Sequence, residues 1–301
     1  MTAARALIVS LRPHQWTKNL VVFAPLALSK HLFEAEAFSR AALAFILFCG
    51  LSGAVYLVND LADLDRDRRH PLKRLRPLAS GALAPRAAAL LAAILTLVCL
   101  GLGTLLGGPF ALAALIYLLL NLAYSLGLKG VVILDVIAIS LGFVLRAVAG
   151  ALAIAVRFSD WLLVCTTLLA LFLALAKRRH ELTSLNDAAP DHRPILAEYS
   201  PYLLDQMISV VTASCLMAYA FYCMAPETVE KYRTDRLAWT IPFVLYGIFR
   251  YLYLVHRREQ GGSPTDILLT DRPLLLDVAL WALTIILIVY TAGGAPVPRG
   301  R

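Results

Sequence analysis

The chain consists of long apolar segments separated by short polar connections. Apolar runs long enough to cross a bilayer about 30 Å thick recur about nine times along the 301 residues. They lie at 20–37, 40–58, 86–106, 109–128, 131–155, 161–176, 203–224, 238–255 and 273–292. The pattern predicts an all-α, polytopic membrane protein with about nine transmembrane helices. Because no soluble segment is long enough to fold alone, we treat 1–301 as a single transmembrane domain.

Composition and charge narrow the class of protein. A hydrophobic content of 60% and a mean hydropathy of +0.73 exclude an ordinary soluble protein. Most Lys and Arg residues fall in connections on one side of the predicted helices. The positive-inside rule assigns that side to the cytoplasm, with the protein in the cell (plasma) membrane. The net charge of +8 fits anionic headgroups and phosphorylated substrates, and no nucleic-acid pattern is present. The five cysteines show neither metal-ligand spacing nor a disulfide framework.

An acidic block ends the second apolar segment. At about 100° per helical residue, Asn59, Asp60, Asp63 and Asp67 fall on one face, while Asp65 points away. Like charges at this spacing repel, so the arrangement favours a bridging hard cation. Mg²⁺ prefers a few carboxylates, water and substrate phosphate oxygens, which predicts a magnesium site. The alternative is a solvated helix end.

Two inner connections, near 59–85 and 177–202, carry most of the candidate chemistry. The first continues from the acidic block into the basic run from Arg68 to Arg76. The second opens with Lys177-Arg178-Arg179-His180-Glu181. The two connections are four helices apart, so two structurally similar halves could bring them face to face.

Two charged residues, Asp135 and Arg146, lie inside one apolar segment. Charge in the bilayer core costs at least about 2.5 kcal/mol, so such residues usually face a wet cavity. Arg146 is either an inward partner for a phosphate or tyrosine, or part of a structural pair with a neighbouring helix. Lys129 is either a membrane-surface anchor or a ligand, and Tyr124 lies on a helical face that leads toward it.

The pattern Asn59-Asp60-x-x-Asp63-x-x-x-Asp67 resembles the first aspartate motif of the UbiA superfamily of intramembrane prenyltransferases. The resemblance implies about nine helices around a central cavity, with a lipid chain that enters laterally. It also implies that Asn59, Asp60, Asp63 and Asp67 hold Mg²⁺ and a diphosphate.

The second motif departs from the aromatic prenyltransferases of that superfamily. Where they have a second aspartate pair, this chain has the cations Lys177, Arg178 and Arg179. The chain here is similar to the decaprenyl-phosphate phosphoribosyltransferase branch of the superfamily. That branch is also suggested by residues 11–19 (LRPHQWTKN), 73–77 (KRLRP), 127–129 (GLK) and 143–147 (FVLRA).

The resemblance leads to a functional hypothesis: Mg²⁺-dependent transfer of 5-phosphoribose from phosphoribosyl pyrophosphate to a polyprenyl phosphate. Three substrate anions call for more cations than one diphosphate does. The candidate phosphate contacts are Lys18, Lys73, Arg76, Lys177 and Arg178, and the candidate orienting residues are Asp135, Glu181, Arg146, Lys129 and Tyr124.

Two other functions stay open at this point. One is an aromatic prenyltransferase that uses a polyprenyl diphosphate, and the other is a transporter of an anionic lipid. The sequence leaves open the lipid chain length, a homo-oligomeric state and the pathway that uses the product.

Overall fold

The computed structural model describes residues 3–71, 73–157, 159–185, 194–257 and 264–292. The all-α prediction is confirmed, since every regular element in these ranges is helical. The helices are α1 (Ala3–Ser10), α2 (Ala24–Leu28), α3 (Ala35–Ala62), α4 (Leu64–Arg69), α5 (Pro85–Gly103), α6 (Gly108–Leu126), α7 (Leu134–Ala153), α8 (Asp160–Leu185), α9 (Pro201–Met224), α10 (Pro226–Tyr232), α11 (Ile241–Arg257), α12 (Pro264–Thr270) and α13 (Arg272–Thr291).

Eight of the described helices are long and apolar enough to cross a membrane: α3, α5, α6, α7, α8, α9, α11 and α13. Helices α3 and α7 form the centre of the bundle, because 61% of the apolar window of each is buried, against 17% for α13. Small residues, chiefly Ala and Gly, line their buried faces and allow close helix packing. The protein is therefore integral to a membrane.

The first predicted span, 20–37, is corrected by the structure. Its second half forms a turn rather than a helix, and Lys30 takes a left-handed φ of 66°. The chain instead runs antiparallel to α3 as a 3₁₀ helix, Pro13–Phe23, continued by α2. Successive contacts trace this path from one end of α3 toward the other: Arg12 with Asp60, Asn19 with Ser52, and Phe23 with Phe38. Residues 13–28, called the N-terminal crossing below, provide a ninth passage through the bundle.

A close backbone contact holds the N-terminal crossing against α7. A Cβ atom built on Gly150 would lie 2.2 Å from the carbonyl oxygen of Val22. No side chain fits in that space, so only glycine at this position permits the approach.

Both predicted connections lie at the same end of the bundle. Helix α3 ends there, α8 carries Lys177 to Glu181 in its last turns, and the N-terminal crossing begins there. The second connection, 177–202, is helical as far as Leu185. Its residues 186–193 lie outside the described ranges.

Candidate active site

The acidic block is divided between two helices. Helix α3 ends at Ala62 and α4 begins at Leu64, with Asp63 at the junction. The backbone turn is nearly continuous, since Asp63 N donates to Asn59 O at 3.0 Å. The expectation of one uninterrupted helical face is therefore corrected. Asp65 is exposed, as its position on the opposite face predicts.

We call Asp60, Asp63 and Asp67 the acidic cluster. Asp60 and Asp67 are 3% and 2% exposed, and both accept hydrogen bonds from Nη1 of Arg76, at 3.1 and 2.6 Å. Arg12 Nη2 donates to the same oxygen of Asp60 at 2.5 Å. Two carboxylates thus point at one cationic position.

The third acid of the cluster has its own cation. Both oxygens of Asp63 accept from Lys129 Nζ, at 2.8 and 3.0 Å. Lys129 is therefore part of the site rather than only a membrane-surface anchor. The half-buried Asn59 side chain makes no hydrogen bond within the described ranges, which leaves its amide available.

Further cations lie near the cluster without a hydrogen bond to a carboxylate. Neither the Lys18 nor the Lys73 amine bonds to another described side chain, and Lys177 lies 3.8 Å from Glu181. Lys18 lies among the positive charges of Lys177, Arg146 and Arg12. Burial lowers the pKa of Lys73, and the charges of Asp67 and Asp63 partly oppose that shift. These amines are short of negative charge, which a bound anion would supply.

A second charged group, the Arg178 network, lies on α6, α7, α8 and residues 194–199. Arg178 is 1% exposed, and Asp135 is fully buried. Arg178 Nε donates to Asp135 at 2.6 Å, Nη1 donates to Glu181, and Nη2 lies 3.5 Å from the Tyr124 hydroxyl. Tyr199 completes the network by donating to Asp135 at 2.8 Å.

Burial raises the pKa of Tyr199 to about 12, so its hydroxyl keeps the proton it donates. Every nitrogen of Arg178 has a protein partner. The phosphate contact expected of Arg178 and the orienting roles expected of Asp135 and Glu181 stay predictions.

Arg146 anchors the N-terminal crossing. Its Nε donates to Asn19 Oδ1 and its Nη2 to the Tyr117 hydroxyl, both at 2.7 Å. Arg146 is 7% exposed and Asn19 is fully buried. Of the two alternatives for Arg146, the geometry favours the inward tyrosine partner. Lys18 is positioned one residue before the anchored Asn19.

Sequence reasoning missed two residues of the site. Arg12 pairs with Asp60 across 48 positions of the chain, and only its place in the quoted stretch 11–19 drew attention to it. Tyr199, which bonds Asp135, had no signal beyond its position in the second inner connection.

The acidic cluster fits a divalent metal ion that also binds substrate. Carboxylate oxygens are the ligands that Mg²⁺ prefers, and it commonly takes one or two carboxylates plus substrate phosphates. Asp60 and Asp67 already converge on one cationic nitrogen. Within the described ranges, no three acidic, His or Cys residues surround one point, so phosphate oxygens would have to complete the coordination.

Comparison with known proteins assigns the chain to a family. A family model described as the UbiA prenyltransferase family matches residues 20–265. The chain belongs to the UbiA prenyltransferase family. The match spans the acidic cluster, the Arg178 network and most of the N-terminal crossing.

Individual relatives within the UbiA family are similar over nearly the whole chain. The decaprenyl-phosphate phosphoribosyltransferase of Corynebacterium glutamicum is 34% identical over 295 residues, which cover 95% of this chain and 87% of that protein. The protein of the same name from Mycolicibacterium smegmatis is 32% identical, covering 94% and 92% of the two chains.

Solved structures share the fold. A UbiA homologue from Archaeoglobus fulgidus bound to DMAPP and Mg²⁺ superimposes with a TM-score of 0.73, covering 94% of this chain and 99% of that one. The identity is 19%, so the likeness concerns the fold alone. The predicted UbiA-like bundle is confirmed.

Proposed function

We propose that this protein transfers 5-phosphoribose from phosphoribosyl pyrophosphate to a polyprenyl phosphate and releases pyrophosphate. The reaction breaks the bond between ribose C1 and the pyrophosphate oxygen, which leaves with the electron pair. An oxygen of the lipid phosphate forms the new bond to C1. Because that oxygen is already anionic, the step needs no strong general base.

One observation carries the proposal: the site holds more cations than its own carboxylates need. The acidic cluster is paired with Arg12, Arg76 and Lys129. Lys73 is within electrostatic reach of Asp67 and Asp63, and Lys18 is within reach of Arg12, yet neither amine forms a hydrogen bond or an ion pair with a carboxylate. The substrates together bring a diphosphate, a 5-phosphate and a lipid phosphate. The names of the relatives from Corynebacterium and Mycolicibacterium support the same substrates.

The acidic cluster and Asn59 would hold Mg²⁺ with the diphosphate. When bound, the metal supplies positive charge that stabilises the leaving pyrophosphate. Arg76 and Lys129 now neutralise the acids, and both side chains are about a quarter exposed. With Mg²⁺ bound at the carboxylates, both side chains would turn toward phosphate oxygens.

The remaining cations would bind the other two phosphates. Lys18, Lys73 and Lys177 are the candidates for the ribose 5-phosphate and the lipid phosphate, since charge-assisted bonds to phosphate are among the stronger polar contacts. Arg178 is a positioning residue. Its hydrogen bond to Asp135 links the last turns of α8 to α7 and so holds the neighbouring Lys177 at the mouth of the bundle. Arg146 fixes Lys18 in the same way through Asn19.

The positive-inside rule supports a cytoplasmic location for this mouth. Soluble sugar phosphates are made on that side of the membrane. A polyprenyl phosphate would reach the site from the bilayer with its headgroup at the same level.

The test is transfer of label from phosphoribosyl pyrophosphate into lipid. Purified protein in detergent is incubated with the labelled donor, polyprenyl phosphate and Mg²⁺, with and without a chelator. We expect chelator-sensitive label in the organic phase and release of one pyrophosphate per label.

A parallel incubation supplies polyprenyl diphosphate and an aromatic acid. Prenylation of the acid without transfer of ribose would overturn the proposal in favour of an aromatic prenyltransferase. Magnesium-independent movement of lipid across vesicles, without a new covalent product, would overturn it in favour of a transporter.

A further inference from the structure

The bundle end opposite the acidic cluster contains a cavity. It has a volume of about 470 Å³ and lies where α8 begins, α9 ends and α10 follows. Since α8 spans 26 residues at a rise of about 1.5 Å each, this cavity lies nearly one membrane thickness from Glu181. Its lining includes Arg157, Asp160, Trp161, Tyr222, Glu227 and Lys231. We call it the outer cavity.

The charged side chains of the outer cavity do not pair with one another. Within the described residues, none of the side chains of Arg157, Asp160, Glu227 and Lys231 forms a hydrogen bond or an ion pair. The first three are exposed to solvent, and Lys231 is half-buried. Glu227 and Lys231 are four positions apart on α10, yet they do not pair. The Lys231 amine instead lies 4.9 Å from the centre of the Tyr232 ring. Burial lowers the pKa of Lys231 to about 8, because no carboxylate compensates its charge.

The cavity also has the features of a membrane interface. Trp161 is 37% exposed and packs on Phe221 with 5.5 Å between ring centres. Tryptophan is enriched where headgroups meet acyl chains. Next to it on α9, the apolar side chains of Phe221 and Met224 are 46% and 57% exposed, a surface on which acyl chains can lie.

Two cations and two carboxylates around one cavity call for a ligand with both signs of charge. A purely anionic headgroup would meet uncompensated repulsion from Asp160 and Glu227, and a purely cationic one would meet the same from Arg157 and Lys231. A phosphate joined to an ammonium group by a short linker satisfies all four. The volume is ample for such a headgroup.

We propose that the outer cavity binds the headgroup of a zwitterionic phospholipid, with its phosphate against Lys231 and Arg157 and its ammonium group against Asp160 and Glu227. The acyl chains lie along the exposed apolar surface of α9. This site is independent of the proposed transferase activity, because it shares no residue with the acidic cluster or the Arg178 network.

The test is lipid retention measured by native mass spectrometry of the full-length protein. The protein is delipidated and offered equal amounts of phosphatidylethanolamine and phosphatidylglycerol. We expect the wild type to keep one phosphatidylethanolamine in preference to phosphatidylglycerol, and Lys231→Gln to lose at least five-fold of that retention. Arg236→Gln is the matched control, because Arg236 is an exposed cation at the same end of the bundle, over the Trp239 ring and outside the cavity.

A second variant keeps the proposal testable if Lys231→Gln folds poorly. Asp160→Asn combined with Glu227→Gln removes the two carboxylates and keeps both cations, so the preference should reverse toward phosphatidylglycerol. Equal retention of both lipids by the wild type, or an unchanged preference in both variants, overturns the proposal.

Soluble glycerophosphoethanolamine distinguishes a lipid site from a site for a free phosphate compound. Failure to displace the lipid at millimolar concentration supports the lipid site. Full displacement overturns the role of the acyl chains.

Discussion

The acidic cluster and the Arg178 network are built from the same groups but differ in access to water. Both join carboxylates to guanidinium groups through short hydrogen bonds. In the acidic cluster the side chains of Arg12 and Arg76 are 21% and 28% exposed, whereas that of Arg178 is 2% exposed. Asp60 and Asp67 are buried as well, so Arg12 and Arg76 can leave them only when another cation takes their place. Being partly exposed, these two cations can then reach a new partner, whereas Arg178 has no such access.

This difference distinguishes residues that we expect to act on the substrate from residues that we expect to stabilise the fold. A buried ion pair that loses one partner leaves an uncompensated charge, which costs about 3–5 kcal/mol. A partly exposed cation keeps contact with water, so it can move from its carboxylate to a substrate phosphate at lower cost once another cation replaces it at the buried carboxylate. We therefore expect substitutions in the Arg178 network to reduce stability, and substitutions in the acidic cluster to reduce activity.

The largest expected effect is that of Arg178→Gln. The change removes the buried cation that Asp135 and Glu181 share, so the free energy of unfolding should fall by about 3–5 kcal/mol. Thermal unfolding in detergent measures it. Arg179→Gln is the matched control, because its pair with Asp205, whose side chain is 36% exposed, should contribute less than about 1 kcal/mol.

Equal losses from Arg178→Gln and Arg179→Gln would contradict the contrast. Adding Asp135→Asn to Arg178→Gln should restore part of the stability, since it removes one of the uncompensated charges.

The next effect concerns Asp67→Asn. It removes a carboxylate from the point where Asp60 and Asp67 converge, and we expect transfer activity to fall about 100-fold or more, with little change in thermal stability. Asp65→Asn is the control, because the Asp65 side chain is 88% exposed and lies on the other face. An active Asp67→Asn protein would remove this acid from the proposed metal site.

A smaller effect is expected for Tyr199→Phe. The Tyr199 hydroxyl donates to Asp135 at 2.8 Å and accepts from the backbone N–H of Ile133 at 2.7 Å. Its loss should cost about 1–3 kcal/mol of stability while the KM for phosphoribosyl pyrophosphate stays unchanged. In Tyr124→Phe, the lost contact to Arg178 is 3.5 Å long, so a smaller destabilisation should result. A change in KM without a change in unfolding would assign Tyr199 to the substrate instead.

The smallest effect is a pH dependence. Burial lowers the pKa of Lys73 below its usual value, so in the free protein this amine loses its proton at a lower pH than an exposed lysine does. A bound phosphate favours the protonated amine, and binding should therefore weaken as the pH rises through that lowered pKa. Calorimetric titration of phosphoribosyl pyrophosphate measures it. Lys73→Arg keeps the charge across this range and should flatten the profile; an unchanged profile would exclude Lys73 from phosphate binding.

The sequence alone predicted the charged residues of the acidic cluster and of the Arg178 network, but not how these residues are arranged. Asp60, Asp63 and Asp67 could be found because their spacing is local. The helix end at Asp63 could not, since the same spacing would continue in an unbroken helix. Arg178 was identified as a site residue by its charge, but its burial depends on Asp135 and Tyr199, which are 43 and 21 positions away in the sequence.

The path of the N-terminal crossing was similarly hidden. Hydropathy detects apolar helices of regular length, and it marked 20–37 because an apolar stretch begins at Leu20. The actual passage begins at Pro13 and includes polar residues such as Lys18 and Asn19, which packing against α3 and α7 makes acceptable. Arg12 pairs with Asp60 only because of that passage.

Through its contact with Val22, the apolar residue Gly150 would influence how the protein binds its proposed substrate. Gly150 carries no charge and touches no proposed substrate, yet it sets how closely the segment bearing Lys18 can approach α7. A methyl group there would push a semi-rigid stretch of chain outward and carry its amine along, so a neutral change in the bilayer interior would alter affinity for a water-soluble sugar phosphate. Natural variation at this one position would thus tune the enzyme from within the membrane.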